Sequence, residues 1–503
     1  MTTLEPGTGP VPDADPEAGT ESIGRQAARG LRWSFAGTLV TKIGSFAMGL
    51  VLARLLTPDD FGVFAVALAA MTFVMHVNDV GLIAAVVQWR GKLEDMAPTA
   101  AAMTMSFSIV VYAFFWFAAP TIASVAHAPE ATGVIRLLTA VILVDGATAV
   151  RSAALMRTFR QDKLIVANLV GLIVNAAVAI SLAAAGAGPY SFAAGLVASF
   201  VVTGVMVFVG ARLPVRLGFD RTIAKQLLLF GLPLAASLGI EAILLNADYI
   251  IIGHLVGEIP LGYYLLAFNI STWALSVISS AVRYVSVAGF SRLSEVDAAT
   301  LSAGVQRSMP ILVTGLMPIA TLTAALALPL VTVLYGEKWT PAAVVLPYLM
   351  VLTVVRVLAS FALDILMGAG ATRSTLWVNL GWAIALVPAL IYATSHGGIR
   401  GAAIAHAIVG LLVAVPVTLL ALHKVGVRLA PIVPALARPI VAGLVSGALA
   451  MVVAHALDQN PLLELVVGGF VGILSYLALA IAPSQLRQWS GLLARRKEAH
   501  AVE

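Results

Sequence analysis

The sequence predicts an all-α protein that crosses a lipid bilayer many times. Of the 503 residues, 60% are hydrophobic and only 11% are charged, and the mean hydropathy is +0.98. Soluble domains carry roughly a quarter charged residues, so this chain has too few charges to cover a water-facing surface. Apolar segments of about 20 residues, the length of a membrane-spanning helix, recur from Trp33 to Ala482.

The beginning of the chain is unlike the rest. Residues 1–22 contain no Lys or Arg and are rich in Pro, Gly and acidic residues, a composition typical of disorder. They lack the basic start and short apolar block of a cleaved signal peptide, so we expect the first span to be retained. We predict a disordered cytoplasmic tail over residues 1–24. The chain has no cysteine, which excludes disulfides and thiolate metal sites.

Fourteen transmembrane spans are predicted, and their order defines the expected domains. Spans 1–6 form an N-lobe over residues 25–221, and spans 7–12 form a C-lobe over residues 222–427. A two-helix hairpin over 428–483 and a basic cytoplasmic tail over 484–503 follow. The spans are 33–56, 61–88, 99–122, 133–155, 164–185, 190–211, 226–253, 261–287, 308–335, 342–368, 374–394, 401–423, 436–457 and 462–482.

The distribution of basic residues predicts the orientation of the chain. With fourteen spans, 24 of the 30 Lys and Arg residues fall in the two tails and alternate connections on one side. The connections on the opposite side contain only Lys338 and Arg400. Basic residues mark cytoplasmic loops, so both termini are predicted to lie in the cytoplasm.

A weak internal repeat relates the two lobes. A shift of 200 residues places RLLTPDDFGVFAVA, from Arg54, on HLVGEIPLGYYLLA, from His254, and aligns Gly62 with Gly262. Both segments are the turn between the first two spans of a lobe. Two six-span repeats in the same orientation are a transporter design with the substrate path at their interface. Chance matching in apolar sequence is the alternative explanation.

Ionisable residues inside the predicted spans are the main functional signal, because charge in a bilayer is costly and marks functional sites. Thr38, Lys42, Ser45 and Gly49 form one stripe of a helix. Stripes from both lobes predict a hydrated central cavity with mixed charge. Alternatively, these charges pair and lock the bundle, as Arg356 and Asp145 would. His406 is interpreted as a packed polar residue. The ionisable candidates are Lys42, Asp79, Asp145, Glu241, Asp248 and Arg356.

Catalytic and nucleotide-binding motifs are absent from the sequence. It contains no GxxxxGK[ST], HExxH or GxSxG pattern, which argues against ATP-driven transport and hydrolytic chemistry within the chain. We therefore expect a transporter rather than an enzyme, with no cofactor, no metal and no nucleic-acid partner.

Three segments carry a resemblance to a known family. RWSFAGTLVTKIGSFAMGLVLARLLTPDDFGVFAVA, NDVGLIAAVVQ from Asn78, and LNADYIIIGHLVGEIPLGYYLLAFNI from Leu245 resemble polysaccharide exporters. These are the lipid-linked oligosaccharide flippases (Wzx-like, including O-antigen flippases) of the multidrug/oligosaccharidyl-lipid/polysaccharide (MOP) superfamily. The resemblance extends from about Arg32 to Pro483. It implies a V-shaped bundle of two six-helix lobes around a central cavity, working by alternating access.

The resemblance also implies the substrate and its partners. It would be an undecaprenyl-pyrophosphate-linked oligosaccharide, moved to the outer leaflet of a bacterial plasma (inner) membrane for surface polysaccharide synthesis, with polymerase and glycosyltransferases of the same pathway as possible partners. Lys42 and Arg356 would hold the pyrophosphate and glycan, and Arg54 would bind ligand or brace its turn. Two modes of transport stay open: a uniport driven by the membrane potential, or coupling to an H⁺ or Na⁺ counter-ion through the acidic candidates Asp79, Asp145, Glu241 and Asp248.

Other functions fit parts of the same pattern. A cation-coupled multidrug exporter shares the architecture, and a lipid II flippase is a narrower variant of the leading hypothesis. A membrane glycosyltransferase or polymerase would be expected to carry a large outer loop, whereas the outer connections here are short. A scaffold without transport activity is the remaining alternative.

Overall fold

The computed structural model describes residues 37–78, 93–157, 160–211, 213, 218–276, 298–368, 372–457 and 460–480. Asp79 and the predicted tails lie outside this part of the chain, as does the side chain of Glu241. The helices are α1 (Gly37–Leu55), α2 (Pro58–Asn78), α3 (Leu93–Val125), α4 (Ala131–Thr139), α5 (Val141–Arg157), α6 (Gln161–Ala184), α7 (Tyr190–Gly210), α8 (Arg221–Val256), α9 (258–276), α10 (Ala298–Ala325), α11 (Ala327–Tyr335), α12 (Thr340–Gly368), α13 (Thr372–Val409), α14 (Val415–Lys424), α15 (Ile432–Ala456) and α16 (Pro461–Ala480).

The all-helical prediction is confirmed for the described residues, which contain no strand. Eleven helical segments in this part of the chain are long and apolar enough to cross a membrane. One of them, Trp377–Lys424, contains the predicted span 401–423 and nearly all of the predicted span 374–394. Between those spans the backbone turns at Gly398, where φ is 57°, a conformation that residues with a Cβ rarely adopt. The count of fourteen spans stays a prediction.

Helices of the first half of the chain, α1–α7, pack through small residues. Gly171 of α6 faces Ser199 and Thr203 of α7, and the Thr203 hydroxyl donates to the Ala167 carbonyl at 3.2 Å. Similarly, the Thr104 hydroxyl of α3 donates to the Gly146 carbonyl of α5 at 2.9 Å. Lipid offers no hydrophobic driving force between helices, so close backbone approach and interhelical hydrogen bonds stabilise such pairs.

The second half consists of α8–α14, and the hairpin α15–α16 is attached to it. Gly443 and Gly447 of α15 lie against Met317 and Thr321 of α10. In addition, the hydroxyl of Tyr476 on α16 donates to the Thr314 carbonyl of α10 at 2.7 Å. The hairpin therefore belongs to the second half of the molecule.

The two halves meet along α2, α8 and α9. A Cβ on Gly62 would overlap the backbone carbonyl of Glu258, and a Cβ on Gly262 would overlap that of Pro58. The two contacts are equivalent under the 200-residue shift, since 58 and 62 become 258 and 262. A local twofold axis between α2 and α9 produces such reciprocity. The repeat of entire lobes stays a prediction.

Candidate functional site

A cavity of about 440 Å³ lies between the two halves. Its walls come from α1, α2, α6 and α7 of the first half and from α9 and α11 of the second. The cavity is bordered by Thr41, Lys42, Ser45, Phe46, Met48, Gly49, Phe61, Phe64, Asn175, Phe192, Leu196, Leu265, Leu266, Asn269, Thr272, Trp273, Ser276 and Tyr335.

The polar side of the cavity is built on α1. Lys42, Ser45 and Gly49 all line it, so the predicted stripe does face the space between the halves, although Thr38 is not among the lining residues. Among the described residues that line the cavity, Lys42 carries the only ionised side chain, and it is half-buried. A partly desolvated ammonium that has no carboxylate beside it among these lining residues is suited to pairing with an anion.

Amides and hydroxyls supply the remaining polarity. Asn175 comes from α6 of the first half, and Asn269 comes from α9 of the second. Thr272 and Ser276 follow Asn269 at helical spacing and line the same wall. Such groups both donate and accept hydrogen bonds, as a polyhydroxylated ligand requires. Sequence reasoning missed Asn175 and Asn269, whose only signal was an amide within an apolar span.

An aromatic pair joins the halves beside Lys42. The rings of Phe46 on α1 and Trp273 on α9 stack with centroids 3.9 Å apart and planes 19° apart. The indole Nε1 of Trp273 donates to the carbonyl oxygen of Lys42 at 3.0 Å. The position of Lys42 is therefore fixed by a residue of the opposite half. Trp273 was also missed, because an aromatic residue in an apolar span usually packs in the core.

One end of the cavity is closed where α1 and α11 both end; we call this the Arg54 end. The guanidinium of Arg54 donates to the Leu334 carbonyl at 2.8 Å and to the Val333 carbonyl. In return, Lys338 Nζ donates to the carbonyls of Arg54 at 3.0 Å and Leu56 at 2.7 Å. These bonds satisfy carbonyls that a helix C-terminus leaves without partners. Arg54 therefore braces the contact between the halves.

The same arrangement recurs under the 200-residue shift. His254, at the end of α8, corresponds to Arg54, and its Nδ1 lies 2.7 Å from the carbonyl oxygen of Val125, the last residue of α3. The imidazole also stacks on His127 with ring centroids 5.4 Å apart. Each half thus caps a helix end of the other half, the first through Arg54 and the second through Lys338 and His254.

A second polar cluster lies within the second half. Asp248 of α8 is 2% exposed and accepts hydrogen bonds from the Tyr264 hydroxyl at 3.1 Å and from the Tyr249 amide at 3.0 Å. His406 of α13, 6% exposed, places Nε2 at 3.5 Å from the Asp248 carboxylate. His406 is packed as predicted, and Asp248 is bonded within its own half.

The remaining predicted site residues are not gathered in the cavity. Arg356 of α12 is half-buried and lies over the ring of Phe268, with Cζ 5.5 Å from the centroid. It is not among the described residues that line the cavity. Asp145 is half-buried in α5 of the first half. The structure therefore brings Lys42 to the cavity and separates it from Arg356, Arg54, Asp145 and Asp248.

Comparison with known proteins relates this architecture to a family. The family model described as "Polysaccharide biosynthesis protein" matches residues 51–344, more than half of the chain. The chain belongs to this family. The matched region includes the Arg54 end and most of the cavity wall. The predicted resemblance to polysaccharide flippases of the MOP superfamily is confirmed.

Two curated members of bacterial polysaccharide pathways are similar to the chain over most of its length. The succinoglycan biosynthesis transport protein ExoT of Rhizobium meliloti is 26% identical over 473 residues, covering 91% of this chain and 93% of ExoT. The teichuronic acid biosynthesis protein TuaB of Bacillus subtilis is 20% identical over 409 residues, covering 78% and 81%. Family and relatives point to a membrane transporter of polysaccharide biosynthesis rather than an enzyme.

Solved structures support the fold. The lipid II flippase MurJ in an inward closed conformation has a TM-score of 0.75 at 11% identity, covering 89% of this chain and 97% of MurJ. An inward-facing multidrug resistance MATE transporter of the MOP superfamily has a TM-score of 0.61 at 18% identity, covering 77% and 94%. At these identities the likeness establishes the MOP-type fold alone.

Proposed function

We propose that the protein is a flippase for undecaprenyl-pyrophosphate-linked oligosaccharide, moving the head group from the cytoplasmic to the outer leaflet of the plasma membrane by alternating access. The observation that carries the proposal is the cavity between the halves. Its described lining residues combine one cation, Lys42, with amides and hydroxyls, and it is closed at the Arg54 end.

The chemistry of the lipid-linked substrate fits this cavity. A pyrophosphate cannot cross hydrocarbon unaided, and the Lys42 ammonium can form a charge-assisted hydrogen bond to it. Asn175 and Asn269 can bond sugar hydroxyls from opposite halves. The polyprenyl chain would stay in the surrounding lipid. Residues 25–221 and 222–427 would be the two bodies that rock.

The membrane potential can supply the driving force. Moving one charge outward across the bilayer is worth about 2.3 kcal/mol per 100 mV, so two negative charges gain roughly twice that when the cell interior is negative. A uniporter would then need no nucleotide, in keeping with the lack of a nucleotide-binding motif in the sequence.

The proposed orientation places both termini in the cytoplasm and the Arg54 end outside. Because the chain has no cysteine, an introduced Ala185→Cys in the exposed turn after α6 would be the only thiol. This turn belongs to the Arg54 end, since Gly188 approaches the Asp60 carboxylate. A membrane-impermeant maleimide should label this thiol in intact cells. Labelling only after lysis would reverse the orientation.

The decisive experiment separates head-group transport from its alternatives. Deleting the gene should abolish the surface polysaccharide and leave lipid-linked repeat units in the inner leaflet. In proteoliposomes, the purified protein should move a fluorescent pyrophosphate-linked glycolipid from the inner to the outer leaflet. A quencher added outside would then reduce the fluorescence. Normal polymer export in the deletion strain, or no translocation by folded protein in the proteoliposomes, would overturn the proposal.

A cation-coupled multidrug exporter is the second candidate, and the buried Asp248–His406 contact favours it, because Asp and His side chains buried within membrane helices mark ion pathways. Protection against cationic dyes that Asp248→Asn abolishes would support this function. A lipid II flippase would instead restore growth to cells that lack their own. These outcomes distinguish both alternatives from the proposed flippase.

A further inference from the structure

Two carboxyl groups from opposite halves meet at the Arg54 end. Asp59 lies in the first turn of α2, and Glu258 begins α9. These two turns are in backbone contact, since a Cβ on Gly62 would overlap the Glu258 carbonyl and one on Gly262 would overlap the Pro58 carbonyl. The two carboxyl side chains interact at this contact. The Oε2 atom of Glu258 is buried and has no hydrogen-bond partner among the described residues. Two ionised carboxylates can only accept hydrogen bonds, so a hydrogen bond between them needs a proton on one of them.

Burial and the surrounding charges favour a proton on the Asp59–Glu258 pair. The pKa of Glu258 is raised above its ordinary value. The main cause is burial, and the nearby carboxylates of Asp59 and Glu130 add to it. Asp60 adds negative charge beside Asp59, although it already accepts hydrogen bonds from the amide and hydroxyl of Thr57. The N-termini of α2 and α9 favour a single remaining negative charge.

The basic side chains described at the Arg54 end contact groups other than Glu258. Arg54 bonds the α11 carbonyls, and Lys338 bonds the carbonyls of α1 while facing Asp60. The imidazole of His254 contacts the Val125 carbonyl and stacks on His127. Among the described charged groups, those that face Glu258 most closely are therefore acidic.

We propose that Asp59 and Glu258 form a proton-binding site that holds the two halves together at the Arg54 end. One carboxyl donates to the other only while the halves are in contact, because each half supplies one member. When this end opens, the carboxyls separate and both regain their ordinary acidity. The inference rests on the alternating access proposed above and adds a regulator of it, namely the pH on the side that this end faces.

The sign of the effect follows from proton linkage. The closed state binds one more proton than the open state, so acidification favours closure and alkaline pH favours opening. The contribution of the proton is complete below the ordinary carboxyl pKa of about 4.3 and is lost as the pH rises through the raised pKa of the pair. Within that window, one proton changes the closed-to-open ratio by up to about tenfold per pH unit.

The test measures the separation of the halves directly. Ala185 and Ser395 are exposed and belong to opposite halves, and both lie near this end, since Gly188 approaches Asp60 and Gly398 approaches Val256. Spin labels on Ala185→Cys and Ser395→Cys in the cysteine-free chain would report the distance by double electron–electron resonance. In proteoliposomes without substrate, the short-distance population should fall as the pH is raised from 4.5 to 8.

Substitutions identify the groups that titrate. Glu258→Gln replaces the shared proton by a permanent amide donor to Asp59, so the short distance should persist at all pH values. Asp59→Asn should also abolish the pH dependence. Glu337→Gln, a change at an exposed carboxylate of the same end, should leave it intact.

Two outcomes would overturn the proposal: a wild-type distance distribution that does not change with pH, or a Glu258→Gln variant that responds to pH as the wild type does. Size-exclusion chromatography of each variant would establish that it is folded. Because no substrate is present, the result does not depend on which lipid-linked sugar is transported. Loss of the proposed substrate and loss of the proton site can therefore be told apart.

Discussion

Gly62 and Gly262 lie 200 residues apart in the chain and occupy equivalent places in one contact between the halves. Each approaches the backbone of the other helix so closely that a Cβ would overlap a carbonyl group. The absence of a Cβ on these two glycines therefore sets the distance between α2 and α9. The contact lies in the same region as Asp59 and Glu258.

We predict that Gly62→Ala opens the Arg54 end. The added methyl group would overlap the Glu258 carbonyl and force α2 and α9 apart. Overpacking costs about 1–3 kcal/mol, which corresponds to a change of about 5- to 150-fold in the equilibrium constant between the closed and open states. The 185–395 spin-label distance should lengthen. Gly381→Ala is the matched control, since a Cβ there meets nothing within 4 Å; equal distributions for both variants would contradict the prediction.

Lys42→Gln should impair transport without affecting folding. The substitution removes the cation from the cavity, and a hydrogen bond to a charged group contributes about 1.5–3 kcal/mol, so head-group binding should weaken about tenfold or more. Glycolipid translocation in proteoliposomes measures the loss. Lys42→Arg should retain most of the activity, and Lys225→Gln, at an exposed lysine, should retain all of it. Full activity of Lys42→Gln would exclude Lys42 from substrate binding.

Arg54→Ala should make the cavity accessible from its closed end. The substitution leaves the carbonyls of Val333 and Leu334 without their donor, and each lost bond weakens the closed state by about 1 kcal/mol. A single introduced thiol, Ser45→Cys on the cavity wall, should react faster with an impermeant maleimide added from the Arg54 side. Arg307→Ala, at an exposed arginine of α10, serves as the control. An unchanged labelling rate would refute the bracing role.

The Tyr264 hydroxyl should stabilise the fold through Asp248. Tyr264→Phe removes a donor from a carboxylate that is 2% exposed, so it should cost about 1–3 kcal/mol and lower the melting temperature of the purified protein. Tyr392→Phe, at a tyrosine that is 70% exposed, should have little effect. If Asp248→Ala and Tyr264→Phe act through this one bond, the double variant will lose less free energy of unfolding than the two single variants lose together.

The helical membrane fold was predictable from hydropathy, because length and composition alone decide whether a segment can span a bilayer. Gly62 and Gly262, which the 200-residue shift aligns, also meet in the structure, whereas the repeat of entire lobes stays a prediction. The α1 stripe correctly placed Lys42, Ser45 and Gly49 on one wall of the cavity.

The arrangement of the other charges was not predictable in this way. Helical periodicity assigns residues to a face of their own helix, but it does not fix how that helix is rotated within the bundle. Arg356 therefore shared a predicted cavity with Lys42, yet it lies over Phe268. The uncharged cavity residues Asn269 and Trp273 were not predicted for a different reason. Burial in a membrane costs a charged group much more than an uncharged one, so only charged residues stand out in the sequence.

The attachment of α15 and α16 to α10 has a mechanical consequence. Because Gly443, Gly447 and Tyr476 anchor the hairpin to the second half, it would travel with that half as one rigid body. The lipid-facing perimeter of the transporter is then wider on one side than on the other. Each cycle would displace more bilayer around the second half, which makes the turnover rate sensitive to membrane thickness and lateral pressure.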